Sequence, residues 1–501
     1  MRPLLILALW SLAMACHAQP LFEETVGPAV RHHWSRSYNR LLHGGDGKFY
    51  LFQNRSGNYW NFGQTGEARS RMLVFGPDLA LLGNHRVCNS AHKALHVYEA
   101  FETPDGIRVL AMAPVQGGKG AWLMLGTPDP DTHGEFLHCD TLQFFPSFNH
   151  RIQAPRFRMA FSPDSSLLAI AWRLGTNLEE ADNGMEVLLL DRNYRPQGKT
   201  FYPLLSAAGE TYVLGMAMDD RGSLLFHLRV ISERNLAGRP QVGGQLLAFF
   251  DQHTRLLSPV QLGRGRIPLD IKLHLDKRGN YWALGTYLHP LKDNPEVGLY
   301  TGLVGSGDTL QQVRLHPFPD SLESEFLLPK ALGGNPDLRP SFHNQFFGAG
   351  DELYYVQNLR GPALHLHPST PTPRHLNLLV AWRMDSLLNP LGMRLWGFCQ
   401  EGRTDYTETY SWRALDIQGL GHAMVTDYGS VRKISRPTDA RTYLLPLAGD
   451  AEASVCHVPS AHLPYSLIAP RTAARLAKGH WVFLSRSQHN LRLVRYHFLS
   501  P

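Results

Sequence analysis

The sequence predicts an all-β fold, a single β-propeller of four-stranded antiparallel blades, on three observations. First, an alternating strand running into an Asp-containing turn and out into a second strand recurs along the chain. It is plainest at Met216 to Leu228 (MAMDDRGSLLFHL) and Lys272 to Gly285 (KLHLDKRGNYWALG). Second, the aspartates heading these turns, Asp46, Asp105, Asp164, Asp219 and Asp276, stand 59, 59, 55 and 57 residues apart. Third, another apolar strand and turn follows 24 to 34 residues behind each of them and behind the later turns at Asp351 and Asp416, ending at Asp78, Asp129, Asp191, Asp251, Asp308, Asp385 and Asp450. Two locked turns per repeat mean four strands per unit. A repeated unit that cannot bury its own faces must stack on copies of itself, and radial stacking of such sheets protects their edges.

Taken from the N-terminus, residues 1–18 read as an export signal. Arg2 supplies the charge, Leu4 to Ala15 an apolar run too short to span a bilayer, and Cys16-His17-Ala18 a small-residue cleavage site ahead of Gln19. A rival reading takes Ala13 to Cys16 as a lipobox, with Cys16 lipidated and anchored to a membrane; the usual Leu three residues before the Cys is absent. Residues 19–501 then form the propeller domain. Downstream of the signal no apolar stretch is long enough for a transmembrane helix.

The later turns are spaced more widely. Asp351 follows after 75 residues, the turn from Asp416 to Gly421 after 65 more, and Lys478-Gly479 after another 62, intervals that fit loop insertions. From about Leu467 only three strands remain before Pro501, so the fourth strand of the last blade is expected from Phe22 to Val30, closing the ring. Eight blades account for these units, with seven as the alternative. The Asp-x-x-Gly turn followed by an aromatic or aliphatic strand resembles the blades of the NHL and YVTN propeller families over nearly the whole mature chain. That resemblance implies the fold and no particular activity. The GH...WD signature, the Kelch double glycine and tandem Tyr-Val-Thr-Asn are absent.

The composition, 43% hydrophobic and 18% charged with a net charge of +6, is globular and mildly basic. It permits acidic glycan or membrane-surface partners and gives no sign of nucleic-acid binding. Of the cysteines left after export, Cys88 and Cys139 each lie ten residues past a second turn, equivalent places in neighbouring blades and too far apart to bridge. Cys399 and Cys456 have unlike offsets, and a bridge between them is easier.

Long connections mark the face to search for function, since binding residues concentrate on loops held by a rigid scaffold. The second-to-third inserts Asn54 to Arg69, Gly175 to Gly184, Ser232 to Gly243, Leu288 to Glu296, Asn358 to Leu376 and Tyr428 to Ala440 share one face with the link Phe318 to Asn344. Within it, Tyr59, Trp60 and Phe62 beside Arg55 could stack on a sugar or grip a peptide, or else plug the loop onto its own blade. Arg234 on a neighbouring insert could bind a carboxylate or sulfate. The run Asp129 to Asp140 has the spacing of a calcium loop, with Asp129, Asp131 and Asp140 as candidate ligands. His133, Pro130 and the Asp at the last position depart from the pattern, and a Pro-Asp turn is the simpler reading.

Catalytic signatures are thin. Glu179, Glu180 and Asp182 form a solvated acidic loop, while His138-Cys139, Cys456-His457 and the LHLHP run from Leu364 to Pro368 lack the spacing of a zinc site. No Gly-x-Ser-x-Gly elbow, HExxH helix or phosphate-binding glycine loop occurs. The expected function is an exported, monomeric binding or scaffold protein that recognises a protein or glycan and needs no cofactor. The alternative is a propeller hydrolase or lyase acting on a polysaccharide or lactone at the central channel.

Overall fold

The structure is a computed structural model that describes the strands and tight turns between residues 22 and 499. It leaves undescribed residues 1–21, 56–69, 146–156, 175–183, 319–339, 365–373, 402–411, 429–439, 448–455 and 459–466, with shorter gaps between strands. Every described element is a strand, and none of the described residues forms a helix long and apolar enough to cross a membrane.

Eight antiparallel blades follow one another along the chain. Blade 1 comprises Arg36–His43, Phe49–Arg55, Arg71–Phe75 and Leu81–Arg86. Blade 2 comprises His96–Thr103, Gly106–Pro114, Ala121–Pro128 and Phe136–Phe145. Blade 3 comprises Arg158–Phe161, Leu167–Leu174, Gly184–Asp191 and Pro196–Pro203. Blade 4 comprises Glu210–Met218, Leu224–Arg234, Pro240–Phe250 and Arg255–Pro259. Blade 5 has a split inner strand, Ile267–Pro268 and Lys272–Leu275, followed by Tyr281–His289, Glu296–Val304 and Leu310–Pro317. Blade 6 comprises Pro340–Ala349, Glu352–Leu364, Arg374–Met384 and Pro390–Glu401. Blade 7 comprises Trp412–Ile417, Leu420–Tyr428, Ala440–Pro446 and Cys456–Val458. Blade 8 comprises Leu467–Ala477, His480–Arg486 and Asn490–Phe498. The N-terminal strand Phe22–Val26 completes blade 8, with Phe22 opposite Phe498 and Val26 opposite Val494. Eight blades therefore replace the seven-blade alternative.

The core is the set of joints between blades. Second strands are sandwiched on both faces, which is why Tyr281–His289 reads YWALGTYLH, with its first seven residues buried. The outer strand Leu81–Arg86 alternates between half-buried and exposed. One apolar cluster joins Leu42 and Phe52 of blade 1 to Val97 and Val109 of blade 2, and similar clusters continue around the ring. The last cluster packs Val482, Leu484 and Leu493 of blade 8 against Leu41, Leu51 and Phe75 of blade 1. Eight clusters for eight joints is the signature of a closed ring.

The turn aspartates lie where the spacing places them, in two registers. Asp219 and Asp276 occupy the first position of the inner hairpin, each accepting the amides two and four residues on. In blades 1 and 3 that position belongs to Gly44 and Ser162, and Asp46 and Asp164 sit two residues later. Either arrangement is an Asx turn that supplies the backbone donors of a tight reversal. Asp251, Asp308 and Asp450 lie outside the described residues.

Two expectations need correction. Cys88 and Cys139 are free thiols, but they are not in equivalent places. Residues 129–135 lengthen the blade 2 turn, so Cys139 falls inside an outer strand opposite Gly126, whereas Cys88 lies beyond one, bridging to Ala94 and Glu135. The inserts of blades 4 and 6 are largely strand: Arg234 pairs with Pro240, and Leu364 with Arg374. Extended hairpins thus carry much of the long-connection face. Cys399 and Cys456 stand on the outer strands of blades 6 and 7, opposite Leu376 and Leu444, and their side chains lie outside the described residues.

Candidate functional site

The inner strands surround the central channel, and one position on them recurs. Three or four residues before the last register pair of each inner hairpin stand Arg40, Glu99, Arg158, Gly215, Lys272, Gln345, Arg413 and Ala473. The layer therefore carries four cations against one carboxylate. Several of these side chains lie tangentially and grip the next blade. Arg40 Nη1 donates to Glu99 at 2.9 Å and to the Ala100 carbonyl at 3.2 Å. Arg158 Nε donates to the Val213 carbonyl at 3.1 Å. Gln345 Oε1 accepts the Ala414 amide at 2.7 Å. Arg413 Nη1 donates to the Ala473 carbonyl at 3.0 Å, and its guanidinium lies 5.5 Å from the centre of the Trp481 ring.

Lys272 differs from these. Among the described residues its ammonium makes no hydrogen bond or ion pair. Burial pushes its pKa down and Arg158 pushes the same way, while Asp270 opposes them. Lys272 lines a cavity of about 540 Å³ with Leu273 of blade 5, Asn344 to Phe347 of blade 6, and Arg413 and Ala414 of blade 7. That volume lies within the range of small-molecule sites. Burial and Arg40 pull Arg413 down to about 10, with Glu102 opposing. The layer's cations thus act on one another from alternate blades, Arg158 on Lys272 and Arg40 on Arg413.

The wall behind Lys272 is a polar network joining blades 5 and 6. Asp270 accepts the Thr286 amide at 2.8 Å, the Tyr355 hydroxyl and the Asn344 amide nitrogen. Burial pushes the Asp270 carboxyl up, and its donors, Tyr355 foremost, pull it back. The segment carrying Asp270 presses onto Gly285, where an added Cβ would stand 2.1 Å from the Asp270 carbonyl oxygen. That oxygen accepts the Tyr300 hydroxyl at 2.9 Å. Gly285 is what lets the split inner strand of blade 5 approach so closely. The Asn344 amide group also donates to the Tyr355 oxygen at 3.2 Å. Both partners fix which way that amide faces.

The residues singled out by sequence fall elsewhere. Tyr59, Trp60 and Phe62 lie outside the described residues, as do Glu179, Glu180 and Asp182. Arg55 and Arg234 end the second strands of blades 1 and 4, and their side chains are likewise not described. Asp129 is buried in the turn and accepts the Asp131 amide at 2.9 Å, while Asp131 faces Lys48 at 3.6 Å. Asp140 is exposed on the outer strand of blade 2, opposite Leu125. Among the described residues no cluster of three metal-ligating side chains forms. The layer of Arg40, Glu99, Arg158, Lys272 and Arg413 escaped sequence reasoning, though the 59-residue steps from Arg40 to Glu99 to Arg158 carry its signal.

No family model matches this chain, and no curated protein matches its sequence. Its shape is similar to several solved structures. The polysaccharide lyase Uly1 is 11% identical with a TM-score of 0.34, covering 81% of this chain and 90% of its own. The WD40 domain of SCAP from fission yeast is 9% identical with a TM-score of 0.38, covering 96% and 99%. Prolyl oligopeptidase B from Galerina marginata is 11% identical with a TM-score of 0.41; 91% of this chain is covered, and this chain spans just over half of that one, 55%. At such identities and TM-scores none of them lends this chain an activity.

Proposed function

We propose that this chain is a binding propeller, exported by its N-terminal leader, that recognises an acidic glycan through the central channel and the long-connection face around it. One observation carries the reading. Lys272 and Arg413, from blades 5 and 7, line one cavity in a cation-rich layer of the channel, and among the described residues Lys272 feels the Asp270 carboxylate but makes no hydrogen bond or ion pair with it or any other anion. Holding a half-buried ammonium with no hydrogen-bonded anion among the described residues costs stability, and a bound anion would repay that cost. Arg55, Arg234, Tyr59, Trp60 and Phe62 belong to the same reading, as contacts on the surrounding face. A hydrolase acting on a glycan needs carboxylates that meet the substrate. Asp270, the carboxylate beside the cavity, is instead engaged by Tyr355, Asn344 and Thr286.

The test is retention of the full chain on immobilised polygalacturonate and heparin against dextran at matched ionic strength. Retention on the acidic polymers alone is expected, weakened in Arg55→Ala and Trp60→Ala. Equal behaviour on all three matrices would overturn the glycan reading. Capture of a protein instead, abolished by the same substitutions, would move the reading to a protein ligand.

A further inference from the structure

We infer that the cavity between blades 5, 6 and 7 is a site for a hydroxylated oxyanion, a sugar acid or hydroxy acid whose carboxylate or sulfate seats against Lys272. This deepens the acidic-glycan reading and rests on it. The charge comes from two cations with different work to do. Arg413 spends Nη1 on the Ala473 carbonyl and lies over Trp481, so it contributes a fixed field. Lys272 is the second cation lining the cavity, and its ammonium makes no hydrogen bond or ion pair among the described residues. A compact ammonium with three donors meets an anion as a point charge.

The hydroxyl preference comes from Asn344. Its amide nitrogen is held by Asp270 and the Tyr355 oxygen, leaving its side-chain carbonyl as the group that can meet a ligand. A carbonyl beside an oxyanion repels a bare anion and accepts a hydroxyl, so the site should favour a ligand carrying both groups. Asp270 is thereby a positioning residue: it orients Asn344 and touches no ligand. Gln345 adds a second amide to the wall, its carbonyl already engaged by the Ala414 amide.

The probes are sodium D-glucuronate, D-glucose and sodium sulfate, titrated calorimetrically into the full chain against sodium chloride of equal ionic strength. Glucuronate is expected to saturate, sulfate to bind more weakly and glucose not at all. Lys272→Gln should weaken glucuronate by about tenfold or more, the loss of one charged hydrogen bond, while Lys48→Gln, on the blade 1 turn beside Asp46 and Asp131, should not. Equal affinity in Lys272→Gln, or a glucuronate response matched by sodium chloride, overturns the site. Sulfate binding as tightly as glucuronate overturns the role of Asn344.

If Lys272→Gln does not fold, acetic anhydride labelling of the wild-type chain decides the matter. Glucuronate should slow acetylation of Lys272 but not of Lys48; equal rates for Lys272 with and without glucuronate overturn the site. The two proposals fail separately. Should Lys272→Gln keep its retention on polygalacturonate while no form binds glucuronate, this site falls and the glycan reading stands on the long-connection face.

Discussion

Phe22 pairs with Phe498, and its ring meets Tyr496 edge-on at a centroid distance of 5.2 Å, so the first described strand closes the blade that the C-terminus leaves one strand short. The same strand contributes to the apolar joint between blades 7 and 8, where Phe22 belongs to one buried cluster with Ile417 and Trp481. Closure is therefore both a ladder of hydrogen bonds and a share of the core.

Deleting residues 19–31 should lower the melting temperature in a single cooperative transition, because one joint of a ring cannot open without exposing its neighbours. Phe22→Ala should cost about 3 kcal/mol, the usual penalty for truncating a buried Phe. Calorimetry of both variants checks this, and unchanged melting of the deletion would rule out closure by this strand.

Arg158 and Lys272 occupy the same layer and should respond oppositely. Arg158→Gln removes the bond to the Val213 carbonyl that ties blade 3 to blade 4, and about 1.5–3 kcal/mol should go with it. Lys272→Gln removes a charge that burial already disfavours, so its stability should equal or exceed that of the wild type. Denaturant unfolding of the two variants side by side reads the contrast.

Gly285→Ala should destabilise the protein by about 1–3 kcal/mol, because a methyl there meets the Asp270 carbonyl oxygen across the blade 5 bend. The clash displaces the segment that holds Asn344, so weaker glucuronate binding should accompany the lower melting temperature. A variant with both unchanged would show that the inner strand does not press on Gly285.

The turn aspartates set an acid limit. Burial alone would raise Asp276, but donors from Asn280, Trp282 and Arg278 outweigh it and hold the carboxyl below its usual range. Asp164 is drawn to about 2, chiefly by the Ser162 hydroxyl. Asp191 and Asp385 are lowered as well. Groups depressed on folding contribute their full stability above the unfolded carboxylate value of about 3.9 and lose it as pH falls through the folded values. Melting temperature should accordingly be insensitive to these groups above about pH 5 and fall between about pH 4 and pH 2. Asp276→Asn should shrink that acid-dependent loss.

The architecture was legible because tight turns demand particular chemistry. A carboxylate that caps amides two and four residues on marks a hairpin wherever it stands, and the apolar runs after Asp46, Asp164 and Asp276 are the doubly covered second strands. The same chemistry concealed the true register. Gly44 and Ser162 occupy the position of Asp219 and Asp276, which made the aspartate intervals look less regular than the blades are. Equal offsets also misplaced Cys88 and Cys139, since a longer turn shifts the whole outer strand of blade 2. The candidate site was not legible, because Asp270 and Tyr355 meet only when blades 5 and 6 pack, 85 residues apart in sequence. Arg40, Glu99 and Arg158 could have been found by counting back from the turns. Lys272 differs from them only in what its neighbours leave unsatisfied.

A crystal structure grown with sodium D-glucuronate tests the channel site most directly. The expected result is density for one glucuronate between blades 5, 6 and 7, with its carboxylate within hydrogen-bond distance of Lys272 Nζ and a hydroxyl on the Asn344 side-chain carbonyl. A channel without sugar density at saturating glucuronate, or a sugar seated with its carboxylate away from Lys272, would contradict it.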